Sequence, residues 1–226
     1  MKKITFLLLT ISLFAVYNVQ AQKQFAGEIR FETKLTGSDD PNLISSVPTQ
    51  IIEVSILGNK SKTVVKSDMY AVTNVWDGDK ETANMVLEIT GMGKYFKKWS
   101  SEEWKEKSKF NDYKYQNVDE FKTICDYKCQ KVVVTVTNTE DDSTSEVILY
   151  VTKEIGASKV NAEFPGLAGY PLMIMQPVEE YCPTCYITVE AQKVTPKKLK
   201  DIDFLLPSDA QNIDDNPEIK QMLGLE

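Results

Sequence analysis

The fold is decided by the stretch Phe164-Pro-Gly-Leu-Ala-Gly-Tyr-Pro-Leu-Met-Ile-Met-Gln176. An acidic turn with Cys182-Pro-Thr-Cys185 follows it, and then the strand-like segment Tyr186-Ile-Thr-Val-Glu-Ala191. Its prolines lack a backbone donor and its glycines tolerate unusual backbone angles, so the apolar run is expected to bend before it enters a strand. The stretch therefore predicts a loop that re-enters a β-sheet and supplies part of its apolar wall.

Most of the remaining chain has the alternation of half-buried strands. The segment from Phe25 to Leu35 places Ile29 and Phe31 on one side and charged residues on the other. About ten such segments follow one another through short turns, among them Asp77-Gly-Asp-Lys80. Strands in this order favour a mainly β fold with a single curved antiparallel sheet, an open or half barrel.

One or two short helices are expected beside this sheet. Ser100 and Glu103 have the spacing of a capping box, which predicts a helix that runs to Lys107 or Lys109 and lies against the concave face. Pro217 favours a final helix over residues 218–223. Residues 36–49 and 153–165 are predicted to be loops.

The first 21 residues have the pattern of an export signal. Lys2 and Lys3 precede an apolar run, and Val19-Gln-Ala21 offers small residues for cleavage. We therefore expect residues 22–226 to form one exported β-rich domain in the periplasm, with outer-membrane association left open. No later apolar run has the length of a membrane span, so none is expected in the mature chain.

The composition narrows the classes of function. The chain has no histidine, which removes the commonest general base and metal ligand. No acid–base pair built from other residues has a recognisable spacing. We therefore expect that the protein is not an enzyme. Loss of the two signal lysines takes the net charge from −7 to −9, which disfavours nucleic acid as a partner. No cofactor is expected.

The four cysteines are expected to form disulfides, because an exported chain meets an oxidising compartment. Cys125 and Cys129 are predicted to flank the turn Asp126-Tyr-Lys128, and Cys182 and Cys185 to flank a two-residue turn. Pairing within each hairpin and pairing between the two hairpins both remain open. The alternative is a thiol-based metal site that uses all four cysteines.

An aromatic, lysine-rich segment between residues 94 and 115 has two interpretations. It is either the rim of an apolar ligand site whose lysines meet an acidic head group, or a helix packed on the sheet with solvated lysines. Under the first interpretation, eight residues are candidates for the lining of the site: Tyr95, Phe96, Trp99, Trp104, Leu167, Tyr170, Leu172 and Ile174.

The order of features resembles an exported Gram-negative family known by the motif Gly-Leu-Pro-Gly-Leu-Ile, and a related domain family of unknown function. The similar segments are Asp126-Tyr-Lys-Cys-Gln-Lys131, Tyr150-Val-Thr-Lys-Glu-Ile155, Phe164-Pro-Gly-Leu-Ala-Gly-Tyr-Pro-Leu172 and Gly27-Glu-Ile-Arg-Phe31. Asp126 stands where the family usually has glycine, and Ala168-Gly169 replaces Pro-Gly. The resemblance implies a curled sheet similar to the bacterial lipoprotein-carrier (LolA/LolB-like) half barrel.

Three functional hypotheses follow. The first is a non-enzymatic periplasmic protein that binds or carries an apolar, lipid-like ligand within its curved sheet. The second is a cell-envelope structural or interaction protein with a filled core, whose partner is another envelope protein. The third is the cysteine-based metal binder.

Overall fold

A computed structural model describes residues 24–156 and 159–222. The predicted export signal, residues 1–21, lies outside the described residues. Twelve strands in the described part form a single sheet: β1 (Ala26–Thr36), β2 (Gln50–Leu57), β3 (Lys60–Lys66), β4 (Tyr70–Asp77), β5 (Thr82–Ile89), β6 (Gly93–Trp99), β7 (Asn111–Ile124), β8 (Tyr127–Asn138), β9 (Thr144–Thr152), β10 (Tyr170–Pro177), β11 (Tyr186–Pro196) and β12 (Gln211–Asn212).

The helices are short. They are α1 (Pro41–Ser46), α2 (Ser101–Ser108) and α3 (Pro217–Met222), and two 3₁₀ turns lie at Asp201–Phe204 and Ile213–Asp215. None of the helices in the described residues has the length and apolar character needed to cross a membrane. The mainly β fold with one curved antiparallel sheet is confirmed, with three helices in place of the one or two expected.

The strand order is β12-β6-β5-β4-β3-β2-β1-β11-β10-β9-β8-β7. All pairs are antiparallel except β12 with β6. The chain thus makes two meanders, β2 to β6 and β7 to β11, and β1 joins them by pairing with both β2 and β11. The sequence predicted most of the strands but contained no signal for this central pairing.

The connection from β6 to β7 shows why the sheet must curl. These strands lie ten places apart in the order, about 48 Å in a flat sheet at ~4.8 Å per strand. Only residues 100–110 join them, and most of these form α2, which rises by about 12 Å. A flat sheet would leave its ends too far apart for this link, so α2 bridges a curled sheet.

Three local predictions were wrong. The segment 36–49 contains α1, because Asp40 caps it by accepting from Asn42 N and Pro41 fits the first turn. Strand β7 begins at Asn111, whereas the sequence pattern predicts a strand only from Val118 to Ile124. The turn between β7 and β8 is Cys125-Asp126, both at positive φ (49° and 69°), so Cys125 lies within the turn.

Cross-strand register defines an inner face of the sheet. Gly27 pairs with Ile56, Ile56 with Ser61 and Ser61 with Trp76, so these residues point to one side, together with Ile29 and Phe31 of β1. Continuing the register through β5 places Ala83 and Trp99 on this side as well. The largest buried side chains cluster on this face.

The inner face is covered by residues 153–156 and 159–169, the described part of the segment between β9 and β10, which we call the crossing loop. Ile155 and Val160 are 0% and 1% exposed and join the core formed by β1, β2 and β10. Phe164 and Leu167 are buried against the valines and leucine of β8 and β9. The chain's own side chains therefore occupy this part of the sheet's interior.

Glycines let the crossing loop return to the sheet, as the sequence predicted. Gly166 and Gly169 have φ of 83° and 112°. At Gly169 a Cβ would lie 2.4 Å from the carbonyl oxygen of Thr152, so a larger residue cannot fit without a shift of the backbone.

The C-terminal segment wraps around strand β6. Asp209 pairs with Lys94 on the outer face at 2.9 Å, β12 pairs with β6, and Asp214 pairs with Lys97 on the inner face at 2.6 Å. Ile213 and Ile219 then pack against Tyr95. This end of the sheet is thereby covered along part of its length.

Candidate functional site

A cleft of about 240 Å³ lies between α2, the turn after β4 and the crossing loop. Trp76 reaches it from β4 and Trp104 from α2, and their ring centroids are 5.4 Å apart with the planes tilted by 43°. Its full lining consists of Trp76, Gly78, Glu81, Trp104, Lys105, Ser108, Lys159, Asn161, Ala162, Pro165 and Gly166.

The helical wall of the cleft is fixed by local sequence. Ser100 accepts a hydrogen bond from Glu103 N (3.3 Å) and the Glu103 carboxylate accepts from Ser100 N (2.7 Å), which confirms the predicted capping box. Trp104 therefore projects from a capped first turn. It packs on Trp76 and meets Trp99 edge-on at 6.4 Å, which holds the helix to the sheet by its aromatic face.

The opposite wall is clamped to the β4–β5 turn. The indole N–H of Trp76 donates to the carbonyl oxygen of Lys159 at 2.7 Å, and Lys159 N donates to Asn59 Oδ1 at 3.3 Å. Gly78 allows this approach, because a Cβ there would lie 2.1 Å from the same carbonyl oxygen. The wall of the cleft therefore has a defined position.

Charged groups stand at the rim. Lys105 pairs with Glu81 at 2.8 Å. The hydrogen bond from Lys105, then its charge, and more weakly the charge of Lys159 hold the pKa of Glu81 below its usual range. Glu81 also has a φ of 55°, a left-handed conformation that is costly for a residue with a side chain and is often found at functional sites.

The eight residues predicted to line an apolar site are not brought together. Only Trp104 lines the cleft, while Trp99 packs edge-on against Trp104 and lines a neighbouring hollow. The other six residues lie in four different places. Tyr95 is buried under Ile213 and Ile219, and Phe96 lies on the outer face beside Lys98. Tyr170 and Leu172 belong to the core around β1, whereas Leu167 and Ile174 belong to the core around β8 and β9.

Sequence reasoning missed most of the lining. Trp76 falls in a segment with strand-like alternation and Glu81 directly follows the predicted turn Asp77-Gly-Asp-Lys80, and neither is among the eight candidate site residues. Lys159 and Pro165 lie in the segment interpreted as a loop. The available signal was weak: Trp76 is one of only three tryptophans in the chain, and alternation places it on the same side of its strand as Tyr70 and Val72.

The cysteines separate into two states. Cys182 and Cys185 form a disulfide with a Cα–Cα distance of 5.1 Å, one of the expected pairings. Cys125 and Cys129 are thiols in the structure, and the second predicted disulfide is not present. The four sulfurs therefore do not provide four thiolate ligands. No group of three or more metal-ligating side chains of the histidine, cysteine or acidic type occurs within residues 24–156 and 159–222.

The two thiols are enclosed by protein. The thiol of Cys125 donates to the carbonyl oxygen of Ala191 at 3.3 Å, and Cys129 is fully buried. Burial, the main cause, raises the pKa of both, that of Cys129 to about 11. Thiols of this kind stay protonated at neutral pH and are poor nucleophiles.

Comparison with known proteins yields a likeness of fold. No protein-family model matches the chain, and a search of curated proteins finds no match. Among solved structures, it is similar to PNGF-II in the P21 crystal form, with 13% identity and a TM-score of 0.52 over 86% of this chain. The C2 form gives 12% identity and a TM-score of 0.55 over 88%. The chain spans 33% of the length of PNGF-II, and at this identity the likeness concerns the fold alone.

Proposed function

We propose that the chain is a non-enzymatic exported protein that binds a small apolar ligand in the cleft between α2 and the crossing loop. The observation that carries the proposal is the pair of indole rings of Trp76 and Trp104, which form aromatic walls open to solvent. Ligand sites are typically concave and apolar, with a few polar groups that converge on them.

The site differs in place from the one that the sequence favoured. Leu167 and Leu172 were expected to line an open apolar interior, but Leu167, within the crossing loop, is 4% exposed and Leu172, in β10, is 0% exposed. A ligand in the cleft requires no displacement of these side chains. The cleft is smaller than the ~300–1,000 Å³ typical of drug-sized ligands, which favours one small flat ring system or a short acyl group over a long lipid chain.

The periplasm is the proposed location. The sequence pattern of residues 1–21 supports it, and the disulfide between Cys182 and Cys185 is compatible with an oxidising compartment. The absence of histidine from the whole chain supports a non-enzymatic role. The resemblance to the exported Gram-negative families remains a prediction on which the comparisons give no evidence.

Native mass spectrometry of the protein exported by its own host tests the proposal. We expect a fraction of the wild-type protein to carry a small adduct, and Trp104→Ala to lose it. Phe110→Ala is the matched control, since Phe110 is an exposed aromatic residue just beyond α2 and does not line the cleft. An adduct that survives Trp104→Ala, in a variant whose unfolding is still cooperative, would contradict the proposed site.

A second candidate is the envelope structural or interaction protein with a filled core. The crossing loop favours it, because Ile155, Val160, Phe164 and Leu167 fill the inner face with the chain's own side chains. Wild-type protein that carries no adduct, and that cross-links in the envelope to one partner protein, would support this candidate over ligand binding.

A further inference from the structure

The charges around the cleft do not balance. Lys105 and Lys159 bring two ammonium groups to the rim, and Glu81 brings one carboxylate. Lys105 is engaged with Glu81 at 2.8 Å. Within the described residues Lys159 makes no ion pair shorter than 4 Å. The cleft therefore presents an excess positive charge, although the chain as a whole is acidic.

Lys159 is also well placed to use this charge. Both its backbone polar groups are held, the N–H by Asn59 and the carbonyl oxygen by Trp76. The base of its side chain is thus fixed beside the N–H edge of the Trp76 indole, while the side chain itself is exposed. A fixed base reduces the conformational freedom that the lysine loses when it binds an anion.

We infer that the ligand of this cleft is a small organic anion, with one flat apolar body against Trp76 and Trp104 and one anionic group, such as a carboxylate, paired with Lys159. The inference rests on the proposed function and adds the chemical class of its ligand. The indoles supply contact area to any flat body, so the ring alone does not select between neutral and charged compounds. The charge-assisted hydrogen bond to Lys159 supplies that selection.

Two probes with the same ring system separate binding in the cleft from recognition of the anionic group: 2-naphthoate carries the anion, and methyl 2-naphthoate is neutral and larger by one methyl group. The readout is the set of three indole N–H signals in a ¹H–¹⁵N NMR spectrum of the mature, disulfide-bonded protein, because the chain has only three tryptophans. Single Trp→Phe variants assign them. We expect 2-naphthoate to shift the Trp76 and Trp104 signals saturably, and the ester to bind roughly tenfold more weakly, as the loss of one charge-assisted contact implies.

A matched pair of lysine variants locates the anion. Lys159→Met should weaken 2-naphthoate to the level of the ester and leave the ester unchanged. Lys107→Met is the control, because Lys107 lies over the ring of Trp99 and outside the cleft. It removes the same charge, so an unchanged affinity for 2-naphthoate separates a local contact from the general field of the protein.

The outcomes are distinguishable. If neither probe moves the Trp76 and Trp104 signals, the proposed function fails and this inference with it. If the ester binds as tightly as the acid, or if Lys159→Met has no larger effect than Lys107→Met, the anion inference is overturned while the cleft remains a binding site.

Discussion

Trp76 donates its indole N–H to the carbonyl oxygen of Lys159 across 83 positions of sequence, at 2.7 Å. This bond joins the first meander of the sheet to the crossing loop that returns from the second. It also sets one wall of the cleft, so the same contact serves the fold and the candidate site. Its energetic contribution can be measured.

Replacement of Trp76 by phenylalanine should remove this hydrogen bond and keep most of the ring. We expect the free energy of unfolding to fall by about 1–2 kcal/mol, because the carbonyl oxygen of Lys159 loses its donor and part of the buried surface is lost. Urea unfolding followed by circular dichroism gives the value. Trp99→Phe is the control, since its indole makes no hydrogen bond in the described part of the chain. Equal losses in the two variants would show that the bond to Lys159 contributes little.

The filled inner face predicts a large cost for Leu167→Ala. Leu167 is 4% exposed among valines of β8 and β9, so its truncation should leave a cavity and lower stability by about 2–5 kcal/mol. Leu205→Ala makes the same chemical change at a residue that is 66% exposed and should cost less than about 0.5 kcal/mol. Similar values for both would mean that the crossing loop is not packed on the sheet.

The turn between β7 and β8 predicts a substitution that does not destabilise. Asp126 has a φ of 69°, which glycine adopts without steric cost. We expect Asp126→Gly to be neutral or to stabilise by up to about 1 kcal/mol, as relief of strain offsets the greater freedom of the unfolded chain. Asp39→Gly is the control, because Asp39 lies in an exposed loop and does not have a positive φ. This variant should be neutral or mildly destabilising. A clear loss of stability in Asp126→Gly would contradict the strained turn.

Alkaline pH should lower the stability of the fold because the thiol of Cys129 is buried. Its folded-state pKa is raised to about 11 by burial, whereas an unfolded thiol titrates near 8.5. Between these values the folded state holds the proton and the unfolded state releases it, so stability is complete below about pH 8.5 and falls as pH rises towards 11.

Urea unfolding from pH 8 to 11 measures this loss, which we expect to reach up to about 3 kcal/mol at pH 11, from a pKa difference of about 2.5 units at about 1.4 kcal/mol per unit. Cys129→Ala is the comparison. It lowers stability at every pH but should flatten the slope. Tyr115 and Tyr150, whose pKa values burial raises to about 12, titrate in both proteins and cancel in the difference. Parallel curves would indicate that Cys129 titrates normally.

The sequence predicted those parts of the fold that have a local signal. Alternation of apolar and polar residues identified most strands, and the Ser100–Glu103 spacing identified α2. The first half of β7 was missed because Tyr113 and Tyr115 were grouped with the aromatic residues of α2. Their stacked rings, 6.5 Å apart, lie on alternate positions of a strand.

The cleft could not be predicted because its walls meet only through tertiary structure. Trp76 and Lys159 become neighbours when β1 pairs with β11 and the crossing loop folds over the inner face. No periodicity within either segment encodes that pairing. The sequence likewise offered apolar residues such as Leu172 as ligand contacts, because a buried core strand and the wall of an open cavity have the same apolar pattern.

The central claim is that a small ligand binds in the cleft while the crossing loop keeps the interior of the sheet filled. Intermolecular nuclear Overhauser effects between 2-naphthoate and the protein test it most directly. The account predicts contacts from the naphthyl protons to the side chains of Trp104 and Pro165. Contacts to the methyl groups of Val134 and Leu149, which are fully buried beside the crossing loop, would contradict it and place the ligand in the core.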